Sequence, residues 1–336
     1  MLIVDMGEHK IVSENGRSTN FHGIEHEFFS FDKPTNLSDL GKVCFKEVEN
    51  HISPETESLN LAGCYELKIT EEEMATLKEK LPSLAKLILC HCTSLKVETI
   101  NEFVKFPNLR TLNVYSTKID NTFMETIATS NIESLNLGCN DFLRDDDIIQ
   151  LTKSELRLQK LVLSQCFKLS DTSINAIAGA FGEFLKHLDV SHCDVTDESC
   201  KILSTEFKCL EYLNICYCDK IVSFDPLITL KGTLKSLVIS EKEVKKMGHL
   251  VGNLPRLEKL QIMGEYHALD CSFIKKLAMT CKNLTNLYLK DMGDIKDDSI
   301  KMLAERCCKL EILHLNGCGF TRDGGQKRQL VTYKSL

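Results

Sequence analysis

A nine-residue pattern returns eleven times along this chain, at start-to-start intervals of 23 to 28 residues. In LEYLNICYC, residues 210–218, it places Leu210, Leu213 and Ile215 at positions one, four and six and ends on Cys218. LAKLILCHC (84–92), LQKLVLSQC (158–166), LKHLDVSHC (185–193) and LEILHLNGC (310–318) repeat it closely. More degenerate copies begin at Thr56, Leu109, Ile132, Leu234, Leu257 and Leu284. After position nine comes another aliphatic residue, such as Leu67, Leu95, Leu169 or Val195, then a polar cluster, then an amphipathic stretch. ITEEEMATLKEKLPSL shows the stretch well. Thr70 and Glu73 are spaced as a capping box, and Met74, Leu77 and Leu81 fall on one helical face. In VTDESCKILSTEFKCL, Thr196 is the N-cap and Cys200, Leu203 and Phe207 face inward. A short strand followed by one helix cannot bury its apolar side alone, so successive units must stack.

The pattern L-x-x-L-x-L-x-x-(N/C) at this period resembles the leucine-rich repeat. The resemblance implies an α/β solenoid of about eleven repeats, a right-handed horseshoe with a parallel concave sheet and helices on the convex side. A short N-terminal helical element completes it. The expected organisation is an N-terminal segment over 1–54, a repeat domain over 55–321 and a C-terminal cap or tail over 322–336. The stack needs caps, because end units expose apolar faces.

At 43% hydrophobic and 26% charged residues, the chain can form an ample core. No apolar run approaches the ~18–20 residues of a membrane span, and MLIVDM is too short and too acidic for a signal peptide. Sixteen cysteines without such a signal point to reduced thiols in the cytoplasm or nucleus. A net charge of −7 disfavours nucleic acid as a partner.

Six of the cysteines (Cys64, Cys92, Cys166, Cys193, Cys218 and Cys318) fall at position nine, where the chain needs a small polar group that turns inward to meet backbone donors. Asn140 fills the same place with an amide. Zinc is the alternative, because Cys90-His91-Cys92 and Cys216-Tyr217-Cys218 bring ligand types together. No four-ligand set is spelled out, so the structural reading is preferred and no metal or cofactor is expected. No G-x-S-x-G, Gly-rich phosphate loop, H-E-x-x-H or C-x-x-C is present, which argues against an enzyme. The acidic run RDDDII at 144–149 reads as a helix start, where carboxylates meet the positive end of the dipole.

The cysteine-bearing repeats, TDESCKILSTEFKCLEYLNICYC and IKDDSIKMLAERCCKLEILHLNGC above all, resemble those of F-box/leucine-rich-repeat proteins. That family implies an N-terminal F-box docked on a Skp-type adaptor of a cullin–RING ubiquitin ligase. The repeat wall then captures the protein to be ubiquitinated. Residues 21–52 are where the F-box should lie. Phe28 and Phe29 match its paired apolar element, Leu37 its second, and Val43-Cys44 the pair that ends its last helix, with Leu40 on the same face. The usual Leu-Pro opening and a following tryptophan are missing. Residues 37–52 also read as an amphipathic cap over Leu59 and Leu61.

Strand alternation directs positions three, five and seven away from the core, and the loop exit adds position eight. The face so defined is mixed in sign, with Lys86, Lys160, Lys259 and Lys290 against Asp189, Glu241 and Asp291, unlike the basic stripe of a nucleic-acid binder. The expected partner-binding residues are Tyr115, His187, Asp189, His192, Tyr212, Asn214, Cys216, Tyr217, Met263, Tyr288 and His314. These features point to a noncatalytic protein-recognition module, with a ligase substrate receptor as its specific form. A repeat scaffold without ligase contact is the alternative. Outside its complex the chain is expected to be a monomer. The basic tail TRDGGQKRQLVTYKSL reads as a cap or as a segment folding back toward the concave side.

Overall fold

In register with the pattern, each copy begins a strand. The computed structural model describes residues 44–240, 249–263, 271–290 and 297–316. Phe28, Phe29, Leu37, Leu40, Val43 and the tail at 322–336 lie outside the described residues. The chain divides into two compact units, Met1–Asn140 and Asp141–Leu336.

In the first unit, β1 (Ser58–Asn60), β2 (Lys86–Ile88), β3 (Thr111–Asn113) and β4 (Ser134–Asn136) run parallel, each paired with the next. In the second, β5 (Lys160–Val162), β6 (His187–Asp189), β7 (Tyr212–Asn214), β8 (Ser236–Ser240), β9 (Lys259–Met263), β10 (Asn286–Lys290) and β11 (Ile312–Asn316) do the same. This is the leucine-rich-repeat solenoid fold with eleven repeats. Register is held without slippage, so equal positions form rows: Lys160 faces His187, which faces Tyr212, while Leu161, Leu188 and Leu213 make the row beneath. Positions one, four and six are fully buried in repeat after repeat, as at Leu84, Leu87 and Leu89 or Leu210, Leu213 and Ile215. Each such side chain contributes about 1.5–3 kcal/mol by leaving water.

Three devices recur at the described strand ends of the first seven repeats. Polar residues at position five fold down onto the backbone two residues on: Asn113 Oδ1 accepts from Tyr115 N at 2.9 Å, and Asp189 Oδ1 from Ser191 N at 2.9 Å. Position eight then turns the chain with a positive φ of 52° to 60° in His91, Ser116, Cys139, Gln165, His192 and Tyr217, and of 78° in Gly63. Only glycine adopts that left-handed conformation without steric cost. Position nine finally donates to the position-six carbonyl of the preceding repeat. Cys92 Sγ reaches Leu61 O at 2.9 Å, Cys193 Sγ reaches Leu163 O at 3.2 Å and Cys218 Sγ reaches Val190 O at 3.2 Å. Asn140 Nδ2 reaches Val114 O at 3.0 Å in the same way. The sequence reading put backbone donors around these side chains. The exposed ends of the strands are instead carbonyls, and the thiol supplies the proton.

The helices form as their caps dictate. Thr70 Oγ1 accepts from Glu73 N at 3.3 Å, and Glu73 Oε2 accepts from Thr70 N at 2.8 Å, opening the helix Glu71–Lys80. Thr196 Oγ1 accepts from Glu198 N at 3.2 Å and opens Asp197–Glu206. Among the described residues one repeat departs from the rule: between Asp225 and Gly232 the segment is a 3-10 helix, with Pro226 near its start.

The first acid of several helices does more than face the dipole. Asp145 accepts from Ser170 N at 2.9 Å and Ser170 Oγ at 2.6 Å in the next repeat, and from Ser173 Oγ. Asp171 repeats this one unit later with Thr196 N at 2.8 Å, Thr196 Oγ1 at 2.6 Å, Ser199 N at 3.2 Å and Ser199 Oγ. Asp197 accepts from Val222 N and Ser223 N. Each aspartate staples its helix to the next helix start. Burial pushes the Asp145 and Asp171 carboxyls up, but these hydrogen bonds together outweigh it and hold both below the usual carboxylate range.

Candidate recognition face

The sheet side opposite the buried leucine rows is where the strand residues could meet a partner. In the second unit its centre is built from His187 and Tyr212 at position three and His192 and Tyr217 at position eight. The parallel register sets His187 directly opposite Tyr212, and their rings stack with centroids 3.6 Å apart and planes 8° from parallel. His192 stacks on Tyr217 at 4.5 Å and 24°. All four are half-buried, so their outer ring surfaces remain available. Further along the sheet, Tyr288 and His314 are opposed at position five with centroids 4.7 Å apart. Met263 is half-buried on β9, with its sulfur 3.1 Å from Gln261 Nε2.

Four of the expected contact residues are not presented. Asp189 is 1% exposed, Asn214 and Cys216 are 0% exposed and Tyr115 is 7% exposed. The reason is the turn chemistry. Asp189 spends one oxygen on Ser191 N and Ser191 Oγ and the other on Asn214 Nδ2, 2.8 Å away. Asn214 Oδ1 in turn accepts from Cys216 N at 3.1 Å, and Cys216 O accepts from His192 N at 2.9 Å. These side chains lie along the strand, within the hydrogen-bonded rungs, rather than projecting from it. In the first unit Tyr115 packs edge-on against His91, with centroids 5.3 Å apart. At the end of LEYLNICYC, Cys218 ties repeats together and Cys216 is interior, while Tyr217, like Tyr212 earlier in the stretch, reaches the surface.

Burial keeps the imidazoles of this wall neutral. Burial, with Lys160 adding to it, drives the His187 pKa down to about 2. Burial also lowers His91, and it lowers His192 against the opposing pull of Asp219. These imidazoles therefore present neutral rings near pH 7 and serve as stacking partners rather than cations. Buried Asp189 is pushed up by desolvation, and the bonds from Ser191 and Asn214 and the charge of Lys160 only partly offset this.

The thiols are equally inert. Burial pushes Cys64, Cys200 and Cys281 up to about 12 and raises Cys92 and Cys193 as well. A thiolate is the species that binds zinc or attacks an electrophile, and these side chains hold their protons. Among the described residues no group of three or more His, Cys, Asp or Glu is arranged to hold a metal ion. A concrete consequence is selective alkylation. Iodoacetamide at neutral pH is expected to modify exposed Cys44 and Cys308 in the folded protein, with Cys92, Cys193 and Cys218 reacting only after denaturant is added. Peptide mass mapping reads the result, and early labelling of Cys218 would contradict its place in the core.

At the N-terminal edge of the described residues, Cys44 is the N-cap of a helix. Its N–H donates to Glu47 Oε2 at 2.9 Å, and the helix runs Phe45–Asn50. The helix buries Val48, and Glu49 pairs with Lys80 at 2.8 Å. No helix among the described residues is long and apolar enough to cross a membrane.

A family model described as "Leucine Rich repeat" matches residues 183–204 and 306–327. Among solved structures, a chain of the Rad7 and Elc1 complex in yeast is 17% identical, with a TM-score of 0.46 over 76% of this chain and 79% of that one. An internalin (inlF) from Listeria monocytogenes is 19% identical, with a TM-score of 0.45 over 79% of this chain and 75% of its own. Internalin C2 from the same organism is 17% identical, covers 68% and 88% respectively, and has a TM-score of 0.41. A solenoid of leucine-rich repeats is a protein-interaction module, and its open sheet face differs from the enclosed pockets in which catalysis is usually built.

Proposed function

We propose that the chain is a noncatalytic recognition protein that binds another protein through the sheet face of its second unit. The observation that carries this reading is the pair of ring stacks, His187 on Tyr212 and His192 on Tyr217. They offer rigid, neutral, half-exposed aromatic surface of the kind that dominates binding energy at interfaces. In its specific form the protein is a substrate receptor of a cullin–RING ubiquitin ligase and raises the concentration of a target near a separate enzyme. That form is supported by the resemblance of its cysteine-bearing repeats to F-box/leucine-rich-repeat proteins. The scaffold alternative is supported by the packing of the helix Phe45–Asn50, which buries Val48 and pairs Glu49 with Lys80.

Affinity capture from the native cell, followed by mass spectrometry, tests both levels. The ligase form requires a Skp-type adaptor and a cullin among the captured proteins, and their loss on Leu40→Asp. Their absence leaves the scaffold reading. For the captured target, Tyr212→Ala and Tyr217→Ala are each expected to weaken binding about thirtyfold, the equivalent of ~2 kcal/mol at an aromatic anchor. Unchanged affinity in both variants would remove this face from the interface.

A further inference from the structure

Among the described residues, the most exposed aromatic side chains of the second unit are not on the strand face. They stand on the loops that leave the strand ends, one or two positions past position nine. Phe142 is 77% exposed and Phe167 is 56% exposed. Phe167 meets His192 edge-on with centroids 6.3 Å apart, and His192 stacks on Tyr217, so ring surface continues across three successive repeats. Rings on these loops already take cations. Lys168 Nζ lies 5.9 Å from the centre of the Phe142 ring. The loops are acidic as well. In the strand exits and first helical turns at 141–147, 167–171, 194–198 and 219–225, ten acids stand against three bases. Three of the ten (Asp145, Asp171 and Asp197) are occupied in stapling neighbouring repeats. Asp194 is paired with Lys220 at 2.7 Å. Glu198 pairs with Lys201 at 2.8 Å and Asp147 accepts from Arg144 N at 2.8 Å, while exposed Asp141 and Asp146 flank Phe142 in the sequence.

We propose that this loop rim is a docking surface for an arginine-rich segment of a partner protein. A guanidinium is planar, lies flat on an aromatic ring and directs its N–H groups outward in the plane, where carboxylates can accept them. Exposed Phe142 with exposed Asp141 and Asp146 in the same segment supplies both halves of that requirement, and Phe167 adds a second ring. Nucleic acid and anionic membrane surfaces carry the same sign of charge as the rim and are repelled by it. The rim is separate from the wall centred on His187 and Tyr212, although Tyr217 borders both.

The test uses the full chain and two labelled peptides of equal length and charge, one alternating arginine with glycine and one alternating lysine with glycine. Fluorescence anisotropy should show the arginine peptide bound about fivefold more tightly, because the flat cation gains the ring contact. The double substitution Phe142→Ser/Phe167→Ser should weaken the arginine peptide about tenfold and abolish the preference, with circular dichroism unchanged because both rings are exposed. Lys168→Met, which removes the resident cation from Phe142, should strengthen binding. Tyr212→Ala should leave peptide affinity as it was, whatever it does to a partner on the strand wall. Equal affinity for the two peptides, or binding that survives the double substitution, reduces the rim to plain charge attraction and overturns the proposal. So does loss of peptide binding in Tyr212→Ala, or tighter binding of a single-stranded oligonucleotide than of the arginine peptide.

Discussion

Gly182→Ala is expected to destabilise the second unit by about 2–3 kcal/mol, the cost of forcing an added methyl into a packed site. Gly182 has an ordinary right-handed backbone, φ −55° and ψ −30°, so conformational freedom does not explain the glycine. Space does. A Cβ built there would lie 2.6 Å from Ala178 O and 2.7 Å from Glu206 O, and both are backbone atoms. Glu206 closes the helix of the following repeat, and Gly182 O itself accepts from Lys208 N at 3.0 Å. The methyl could fit only by prising two repeats apart at the point where they are bonded. Gly179, three residues earlier, is the control. A Cβ there meets nothing within 4 Å, and the residue lies inside the helix Asp171–Phe181. Gly179→Ala should therefore stabilise by about 0.5–1 kcal/mol through helix propensity alone. Urea unfolding followed by circular dichroism separates the two substitutions by sign. A neutral effect at Gly182 would mean that the repeats are not packed as described.

Asp171→Ala should cost about 2–3 kcal/mol, since hydrogen bonds to a charged acceptor are worth roughly 1.5–3 kcal/mol each and water can replace part of the set. The substitution leaves Thr196 N, Thr196 Oγ1, Ser199 N and Ser199 Oγ without their shared acceptor. Ser199 is 1% exposed, so its hydroxyl suffers most. The staple also has a pH signature. Burial raises the Asp171 carboxyl, but its hydrogen bonds outweigh that and leave it lower folded than unfolded. A lowered folded value means that the stabilisation is complete above the unfolded pKa of about 3.9 and is lost as the pH falls through the lower, folded value. Urea midpoints measured from neutral pH down to about pH 2 should therefore fall less steeply in Asp171→Ala than in the parent chain. Parallel curves would show that the carboxylate is not ionised in the staple.

The stack was legible because its code is redundant. Leucines at positions one, four and six recur often enough to fix every strand start, and Thr70 and Thr196 announce their helices by cap chemistry alone. The staples were written in the sequence too, as the recurring Asp-x-Ser of SDTS at 170–173 and TDES at 196–199. Read inside one repeat, however, each aspartate is only a good residue for a helix start. Its partner is 25 to 28 residues away, and only the stacking distance makes them neighbours. The recognition face was harder to read for a similar reason. Alternation along an isolated strand sends Asp189, Asn214 and Cys216 outward, but a short polar side chain at a strand end finds its own backbone N–H, or its neighbour's amide, before it finds solvent. Tyr212, His187 and Tyr217 are too long to fold down in that way, and they remain at the surface. Gly182 carries no local signal at all, because its constraint is a carbonyl from the next repeat.

The left-handed residue before position nine in the first seven repeats links durability to recognition. Six of these places hold a side chain where glycine would relax the backbone, and two of the six, His192 and Tyr217, carry the stacked rings. A designer who set glycine at every one would gain a tougher protein and erase part of its working edge in the same stroke. Heat tolerance and grip are governed here by one torsion angle, so neither can be tuned without moving the other.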